Sequence, residues 1–307
     1  MALCRNWKTY SLQGYRSFSI LCRQCDASAL KIHSNVNVSP KRLLFWEKDR
    51  KGGYDAKEKV STLQHIMKGF KEIKSEFKLL GEEAKEFLAA DPLLIARPGE
   101  TDLLWCFNEP KVLEQFVTTS DSDHNQGYSS CSFSPSPAGR ALFHGYLDTR
   151  VPKDGRVKKA GYCALRSQRT RKAFKREATY NWHLYNTLVV KLRGDGRSYL
   201  LNISCEGYYD ITWNDIYHYV LFTRGGPYWQ IAKIPFSKFI LGSKGLIQDK
   251  QSRMRLDRVT HFGISCGDKI DGPFNLELEY IGLEFDPTHD EDFAYEMYKT
   301  DRYIVGV

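Results

Sequence analysis

Long apolar runs are missing from this 307-residue chain, and their absence excludes one class of protein at once. The longest runs, such as Pro92–Ala96 and Tyr219–Phe222, extend over only a few residues, whereas a membrane-spanning helix needs about 20. No helix of this chain is therefore expected to cross a bilayer. Apolar residues make up 42% and charged residues 27% of the sequence, a balance typical of globular proteins rather than collagen, fibres or disordered chains.

The sequence also lacks the motifs of nucleotide-binding and metal-binding proteins. It contains no GxxxxGK[ST] loop, and no GxGxxG stands between a predicted strand and a helix. His and Cys residues such as His124, Cys131 and Cys205 are isolated and do not have the spacing of metal ligands. The eight Cys are scattered along the chain, which indicates reduced intracellular thiols. We expect no metal and no cofactor.

One motif resembles the nucleophile elbow of serine hydrolases. The residues Gly263-Ile264-Ser265-Cys266-Gly267 match the pattern G-x-S-x-G, which functions only where a strand turns into a helix. Here the following residues contain Gly272-Pro273 and predict another strand. Ser265 is therefore not expected to be a nucleophile, and no catalytic residue is predicted.

Acidic residues are absent from the first 25 positions. The cations in this stretch are Arg5, Lys8, Arg16 and Arg23. An Arg-rich, acid-free, amphipathic start is typical of a mitochondrial presequence, which we predict over residues 1–25, with a disordered basic tail as the alternative. Residues 26–54 continue as a basic linker. Since residues 1–54 contain ten Lys or Arg and three acidic residues, most of the net charge of +8 lies in this end segment.

Residues 55–91 show the clearest helical pattern. Seven apolar residues recur at alternating steps of four and three and form what we call the apolar stripe: Ile66, Phe70, Ile73, Phe77, Leu80, Ala84 and Phe87. Lys and Glu fill the intervening positions, which predicts an amphipathic helix that ends at Asp91-Pro92. Either the stripe packs on the helix's own domain, or it is offered to the groove of a partner.

Beyond Leu103 the period changes to that of strands. Leu188, Val190 and Leu192 alternate with Val189, Lys191 and Arg193, and Gly194-Asp195-Gly196 then predicts a tight hairpin turn. Other short strands are predicted at Ala141–Leu147, His218–Thr223, Trp229–Ile234 and Val259–Cys266. Near the end, one face of a strand is predicted to hold Phe274, Leu276, Leu278 and Tyr280.

Many short strands and few helices predict an antiparallel β-sandwich or barrel. We place this domain at residues 101–287, after the helical segment, with a loosely held tail at residues 288–307.

The segment 150–176 is the strongest local charge feature, with eleven Lys or Arg and one acidic residue. Six of its cations are the candidate partner-binding residues: Arg166, Arg169, Arg171, Lys172, Lys175 and Arg176. Phosphates of nucleic acid, anionic lipid head groups and an acidic protein face are all suitable ligands for such a segment. Among residues 166–176 only Phe174 is aromatic, whereas nucleic-acid-binding surfaces usually contain several stacking rings. A solvated or protein-facing surface is therefore favoured over RNA.

A group of aromatic residues leaves a further alternative open. Its members are Tyr208, Tyr209, Trp213, Tyr228 and Trp229. They either form a flat sugar-binding platform or fill the core of the sandwich.

Three blocks of sequence, in this order and spacing, resemble the mitochondrial complex I intermediate-associated protein family. They are Tyr185–Leu188 with Arg193–Arg197, Phe222–Gln230 with Lys233–Phe239, and Asp257–Val259 with Phe262–Ile264 and Asp268–Phe274. The resemblance covers roughly Leu103 to Phe293 and implies a galactose-binding-like jelly-roll β-sandwich. One departure is Gln126-Gly127-Tyr128-Ser129, which stands where a glycine pair before a serine is expected.

The resemblance implies a non-catalytic assembly chaperone of NADH:ubiquinone oxidoreductase, respiratory complex I, in the mitochondrial matrix and peripheral to the inner membrane. The implied partners are complex I subunits and assembly intermediates, and other assembly factors including an acyl-CoA-dehydrogenase-like protein. The resemblance implies no cofactor. A carbohydrate-binding β-sandwich module and a mitochondrial RNA-binding protein are the alternative functions.

Overall fold

The computed structural model describes residues 62–89, 96–155, 157–206, 215–243 and 245–291. The predicted presequence and basic linker lie outside these ranges, as does most of the predicted tail. The first described element is helix α1, Thr62–Leu88, which lies within the predicted helical segment. A one-turn helix α2, Pro110–Leu113, comes between the first two strands.

Six strands form the first sheet. Their bounds are β1 Thr101–Cys106, β3 Ser130–Pro135, β4 Ala141–Leu147, β6 Thr187–Gly194, β9 Gln230–Pro235 and β13 Gly272–Glu284. The order is β3-β4-β13-β6-β9, and β1 also pairs with β13. Strand β13 has 13 residues, and β4 and β1 follow one another along the same edge of it. This strand therefore joins three others in one layer.

Seven strands form the second sheet. Their bounds are β2 Phe116–Ser120, β5 Cys163–Ser167, β7 Ser198–Cys205, β8 Asp215–Phe222, β10 Ile240–Ser243, β11 Leu246–Ile247 and β12 Val259–Cys266. The order is β11-β10-β8-β7-β12-β5-β2, and neighbouring strands are antiparallel. Short 3-10 turns link the strands at Asp121–His124, Ala173–Lys175, Phe236–Lys238 and Leu256–Arg258.

The core contains the inward-facing residues of both sheets. Leu188, Val190 and Leu192 of β6 are fully buried, as their alternation predicts, and Leu201 and Ile203 of β7 belong to the same cluster. This arrangement of two antiparallel sheets confirms the predicted mostly β sandwich. Burial of these branched side chains supplies the main stabilisation of such a fold.

The predicted hairpin at Gly194-Asp195-Gly196 is wrong. Strand β6 lies in the first sheet and β7 in the second, so the turn carries the chain from one layer to the other. Gly194 is required because a Cβ there would lie 2.3 Å from Thr223 Cβ, and Gly196 has a φ of +94°. A glycine-rich turn predicts a reversal of direction, but it does not specify which strand becomes the neighbour.

The predicted placement of Tyr280 is also wrong. A β-bulge shifts the register of β13 between Leu278 and Tyr280, and one extra residue moves every later side chain to the opposite face. Ile281 and Leu283 consequently enter the core. Tyr280 lies opposite Lys191, and the centroid of its ring is 5.8 Å from Lys191 Nζ.

Asp121 holds the segment between β2 and β3 together. Its fully buried carboxylate accepts the backbone N–H of Ser129 at 2.8 Å and that of Gly161 at 2.8 Å. The hydroxyl of Ser129 donates to the same group at 3.1 Å. Gly127 allows this approach, because a Cβ at that position would lie 2.1 Å from Asp121 Oδ2.

We predict that Gly127→Ala destabilises the protein by about 2 kcal/mol or more, since a methyl group displaces the buried carboxylate from its donors. The matched control is Gly267→Ala, whose Cβ would have its nearest neighbour at 3.6 Å and should change stability little. Denaturant unfolding of both variants measures the difference. Equal stabilities would contradict the role assigned to Gly127.

Candidate interaction surface: helix α1 and the basic loop

Residues 168–178, which we call the basic loop, leave the end of β5 and close on themselves. The backbone N–H of Ala178 donates to Thr170 O at 3.0 Å, and that of Lys172 donates to Arg176 O at 2.8 Å. Within the loop, Phe174 has a φ of +57°, a left-handed conformation that is uncommon for an aromatic residue. This turn directs successive backbone N–H groups toward helix α1.

Two glutamates of helix α1 bind the tip of the loop. Glu76 Oε2 accepts the N–H of Phe174 at 2.6 Å, and its other oxygen lies 3.3 Å from Arg171 Nη2. Glu83 Oε1 accepts the N–H of Ala173 at 2.5 Å, and its other oxygen pairs with Arg176. Each carboxylate therefore binds one backbone donor and one guanidinium, which is the strong, charge-assisted kind of hydrogen bonding. We call this arrangement the glutamate clamp.

The glutamate clamp decides which face of the helix is exposed. Glu76 and Glu83 each directly precede a residue of the apolar stripe, so they lie about 100° to one side of it. Because that side contacts the loop, the stripe faces outward. Phe70 is 70% exposed and Phe87 is 86% exposed. Phe77 is also exposed, with its ring 5.3 Å from that of Phe174 in an edge-on contact.

The apolar stripe was expected either to pack on the helix's own domain or to bind a partner. The structure does not show it packed into the core of its own domain. The buried core cluster contains no residue of helix α1 among those described. In the part of the chain that is described, no helix has the length and apolarity needed to cross a membrane. Among the described residues, the stripe is thus a mostly exposed apolar surface, with Phe77 in contact with Phe174, on a helix attached by its acidic side.

The six candidate partner-binding cations are divided by the structure. Arg171 and Arg176 belong to the glutamate clamp, and Arg169 lies 2.7 Å from Glu177 and 3.2 Å from Glu206. Lys172 and Arg166 are exposed, and the side chain of Lys175 lies outside the described part. Sequence reasoning found these cations but missed Glu76 and Glu83, although their seven-residue spacing on one helix side was visible.

The outer face of the first sheet carries paired charges around Trp229. Glu277 pairs with Arg193, and Glu279 lies 2.8 Å from Lys191. Trp229 is 36% exposed, and Arg193 lies over its ring, 5.3 Å from the centroid. The ring is neither fully buried nor an open flat platform. Of the other predicted platform residues, Tyr228 is 74% exposed, whereas Tyr208, Tyr209 and Trp213 lie outside the described residues.

Ser265 is in the middle of strand β12 rather than at an exposed turn. Its hydroxyl accepts a hydrogen bond from Asn202 Nδ2 at 2.9 Å and lies 3.5 Å from Leu200 O, both on the neighbouring strand β7. The next element is β13, so the strand–turn–helix geometry of a nucleophile elbow is not formed at Ser265.

The described cysteines form no disulfide with one another: Cys106, Cys131, Cys163, Cys205 and Cys266. Burial raises the pKa of Cys205 to about 12 and that of Cys266 to about 11, so both are protonated at neutral pH. Among the described residues, no group of three or more His, Cys, Asp or Glu is placed to hold a metal ion.

Two antiparallel sheets of six and seven strands place the chain among the mostly β sandwich proteins. Among solved structures, a family 11 carbohydrate-binding module of Clostridium thermocellum is similar at a TM-score of 0.43 and 12% identity, over 64% of this chain and 100% of that one. A second structure of such a module, with a bound tetrasaccharide, has a TM-score of 0.40 at 13% identity, over 56% of this chain and 89% of that one. These likenesses concern the fold alone.

The chain belongs to the complex I intermediate-associated protein 30 family, whose sequence profile matches residues 105–278. The mitochondrial complex I intermediate-associated protein 30 of Drosophila melanogaster is 52% identical over 90% of this chain and 94% of its own length. The probable counterpart of Caenorhabditis elegans, also named mitochondrial, is 39% identical over 88% of this chain and 79% of its own.

We predict that the double substitution Glu76→Ala, Glu83→Ala releases helix α1 without melting the sandwich, because each carboxylate contributes about 1.5–3 kcal/mol through charged hydrogen bonds. Limited trypsin cleavage at the exposed Lys71, Lys74 and Lys78 should become at least about tenfold faster. The control Glu82→Ala lies about 100° around the helix from Glu83 and should leave cleavage unchanged. Unaltered cleavage in the double variant would contradict the glutamate clamp.

A second prediction concerns His261, beside Arg166 and Arg169. Burial, and then these two cations, lower the pKa of His261 to about 4. The imidazole is therefore neutral in the folded protein at neutral pH and binds a proton more readily in the unfolded chain. The neutral His261 consequently contributes fully to the free energy of unfolding above about pH 6.5, and this contribution is lost as the pH falls toward 4.

Substituting His261→Gln should remove up to about 3 kcal/mol of the stability difference between pH 7 and pH 4. Denaturant unfolding at both pH values measures it, and His124→Gln, at an exposed position, is the control. An identical pH dependence in wild type and His261→Gln would show that this residue does not titrate in that range.

Proposed function

We propose that this protein is a non-catalytic assembly factor of mitochondrial respiratory complex I, binding partly assembled intermediates during biogenesis. The observation that carries the proposal is the outward-facing apolar stripe of helix α1, attached by the glutamate clamp to a rigid sandwich. Membership of a family whose relatives are named complex I intermediate-associated proteins supports the identity of the target.

The surface formed by the apolar stripe is suited to binding other apolar surfaces. Assembly intermediates expose apolar patches that become buried only in the finished complex, and such patches aggregate if left uncovered. A helix such as α1 can bind an apolar patch, while the sandwich behind it stays folded without contributing core residues to the contact.

The non-catalytic part of the proposal is supported by the setting of Ser265. The serine of the hydrolase-like motif is hydrogen-bonded to Asn202 and lies within a strand that is paired on both sides, rather than at the strand–turn–helix that exposes a nucleophile. The alternatives of sugar and RNA binding have less support, because Arg193 already lies over the ring of Trp229 in the predicted sugar platform and at least three of the six cations are paired within the chain.

The proposed location is the mitochondrial matrix, peripheral to the inner membrane. The proposed partners are complex I subunits, their membrane-arm intermediates and other assembly factors, including an acyl-CoA-dehydrogenase-like protein. Within the basic segment we assign two roles. Arg171 and Arg176 orient the helix, whereas the exposed Lys172 of the basic loop and the exposed Arg166 of strand β5 can contact an acidic partner face.

Mitochondria that lack this protein should accumulate a stalled complex I subassembly on native gels, and wild-type protein should restore the finished complex. We expect Glu76→Ala, Glu83→Ala to restore it poorly, because the released helix no longer presents its stripe from a fixed position. Glu82→Ala is the matched control and should restore assembly fully.

The same assay tests the absence of catalysis. Ser265→Ala removes the oxygen that would act as nucleophile in the hydrolase motif and should restore assembly as well as the wild type. Normal complex I in cells without the protein would refute the assembly role. Loss of function in a normally folded Ser265→Ala protein would refute the non-catalytic mechanism.

A further inference from the structure

We propose that the apolar stripe of helix α1 binds directly to the surface of a bilayer containing anionic phospholipids. This inference goes beyond the proposed function: the assembly role requires only that the stripe bind an apolar surface, whereas here that surface is assigned to lipid, in a contact that the protein makes alone, without any subunit of complex I. It depends on the geometry of the two sides of the stripe.

One side of the stripe carries a row of lysines. Lys71, Lys74, Lys78 and Lys85 each directly follow a residue of the stripe, so they lie about 100° to the side opposite the glutamate clamp. All four are exposed. Lysines in this position can extend their charged ends to phosphate groups while the apolar residues between them enter the membrane.

The other side of the stripe carries little uncompensated negative charge. The carboxylates of Glu76 and Glu83 are paired with Arg171 and Arg176, and the loop adds the exposed Lys172. Glu82 lies on the far side of the helix, well over 90° from the stripe. The face directed outward is therefore apolar along its centre and positive at its margins, which complements an anionic membrane surface.

The shape of this face favours a flat occupant over a groove. A helix bound in a protein groove is covered on both sides of its apolar ridge, but here the basic loop already occupies one side, with Phe174 against Phe77. From Phe70 to Phe87 the ridge is about 26 Å long. A bilayer contacts such a ridge from above and needs no access to its sides.

A second copy of the chain fits less well. An antiparallel pair of stripes would place lysine row against lysine row, and the like charges would repel one another. A parallel pair would place the lysine row of one helix against the glutamates of the other, but those are already bound by the basic loop. In neither arrangement does the lysine row face available negative charge.

The test is flotation of the full-length protein with vesicles of phosphatidylcholine containing one-third phosphatidylglycerol. The variant Phe70→Ser, Ile73→Ser removes two stripe residues that are 70% and 51% exposed. Serine has a helix propensity close to that of phenylalanine and isoleucine, so helix α1 should persist. We expect binding to fall at least about tenfold.

The control variant is Phe222→Ser, Ile231→Ser, which changes the same residue types at 70% and 50% exposure on the sandwich. It should float like the wild type. The basic N-terminal segment is present in every sample, so its own attraction to vesicles cancels in the comparison.

The triple variant Lys71→Glu, Lys74→Glu, Lys78→Glu tests the lysine row. It should weaken binding by about a hundredfold, at about 1 kcal/mol for each lysine, and its effect should be smaller on vesicles of phosphatidylcholine alone.

Three results would overturn the proposal. The first is equal flotation of the wild type and the Phe70→Ser, Ile73→Ser variant. The second is a wild-type dimer in light scattering that this variant converts to a monomer, which would assign the stripe to a second copy. The third is loss of co-migration with complex I intermediates in this variant with no change in flotation, which would assign the stripe to a protein surface. Failure of vesicle binding leaves the assembly function standing, since rescue of complex I is measured separately.

Discussion

The two carboxylates of the glutamate clamp determine which face of helix α1 is exposed and available for binding. The N–H groups of Ala173 and Phe174 point out of a tight loop, and an unpaired N–H beside a packed helix is costly. Glu76 and Glu83 satisfy both groups and balance two arginines. Because the acidic side of the helix faces inward, the apolar stripe faces outward. Helix α1 thus contacts its domain through its charged side, whereas an amphipathic helix usually buries its apolar face.

The clamp is effective because the loop itself is attached at both ends to rigid strands. The basic loop lies on the connection from β5 in the second sheet to β6 in the first, and hydrogen bonds between Thr170 and Ala178 close it. Since helix α1 adds no described residue to the core cluster, its position can change without unfolding the sandwich. Attachment through a few polar contacts is the least stable kind in such a structure, which suits a surface used for binding.

Several elements could be predicted from sequence because their signals are local. The strands Ala141–Leu147 and Val259–Cys266 have the predicted ends, since period-two alternation is bounded by turn residues in both. The strand predicted at His218 begins earlier, at Asp215. The apolar stripe was also visible as a period. The orientation of the stripe could not be predicted, because a helical period identifies an apolar face of the helix but does not identify what that face contacts.

The sequence by itself determined the layered β architecture, the amphipathic helix and the family, since alternation, helical spacing and the order of the matching blocks can all be recognised along the chain without knowledge of its tertiary contacts. Only the tertiary structure decided that β6 and β7 lie in different sheets, that a bulge turns Tyr280 outward, and that Arg171 and Arg176 bind the protein's own glutamates. Each of these depends on contacts between distant parts of the chain, where geometry and competition among partners select one arrangement that local patterns leave open.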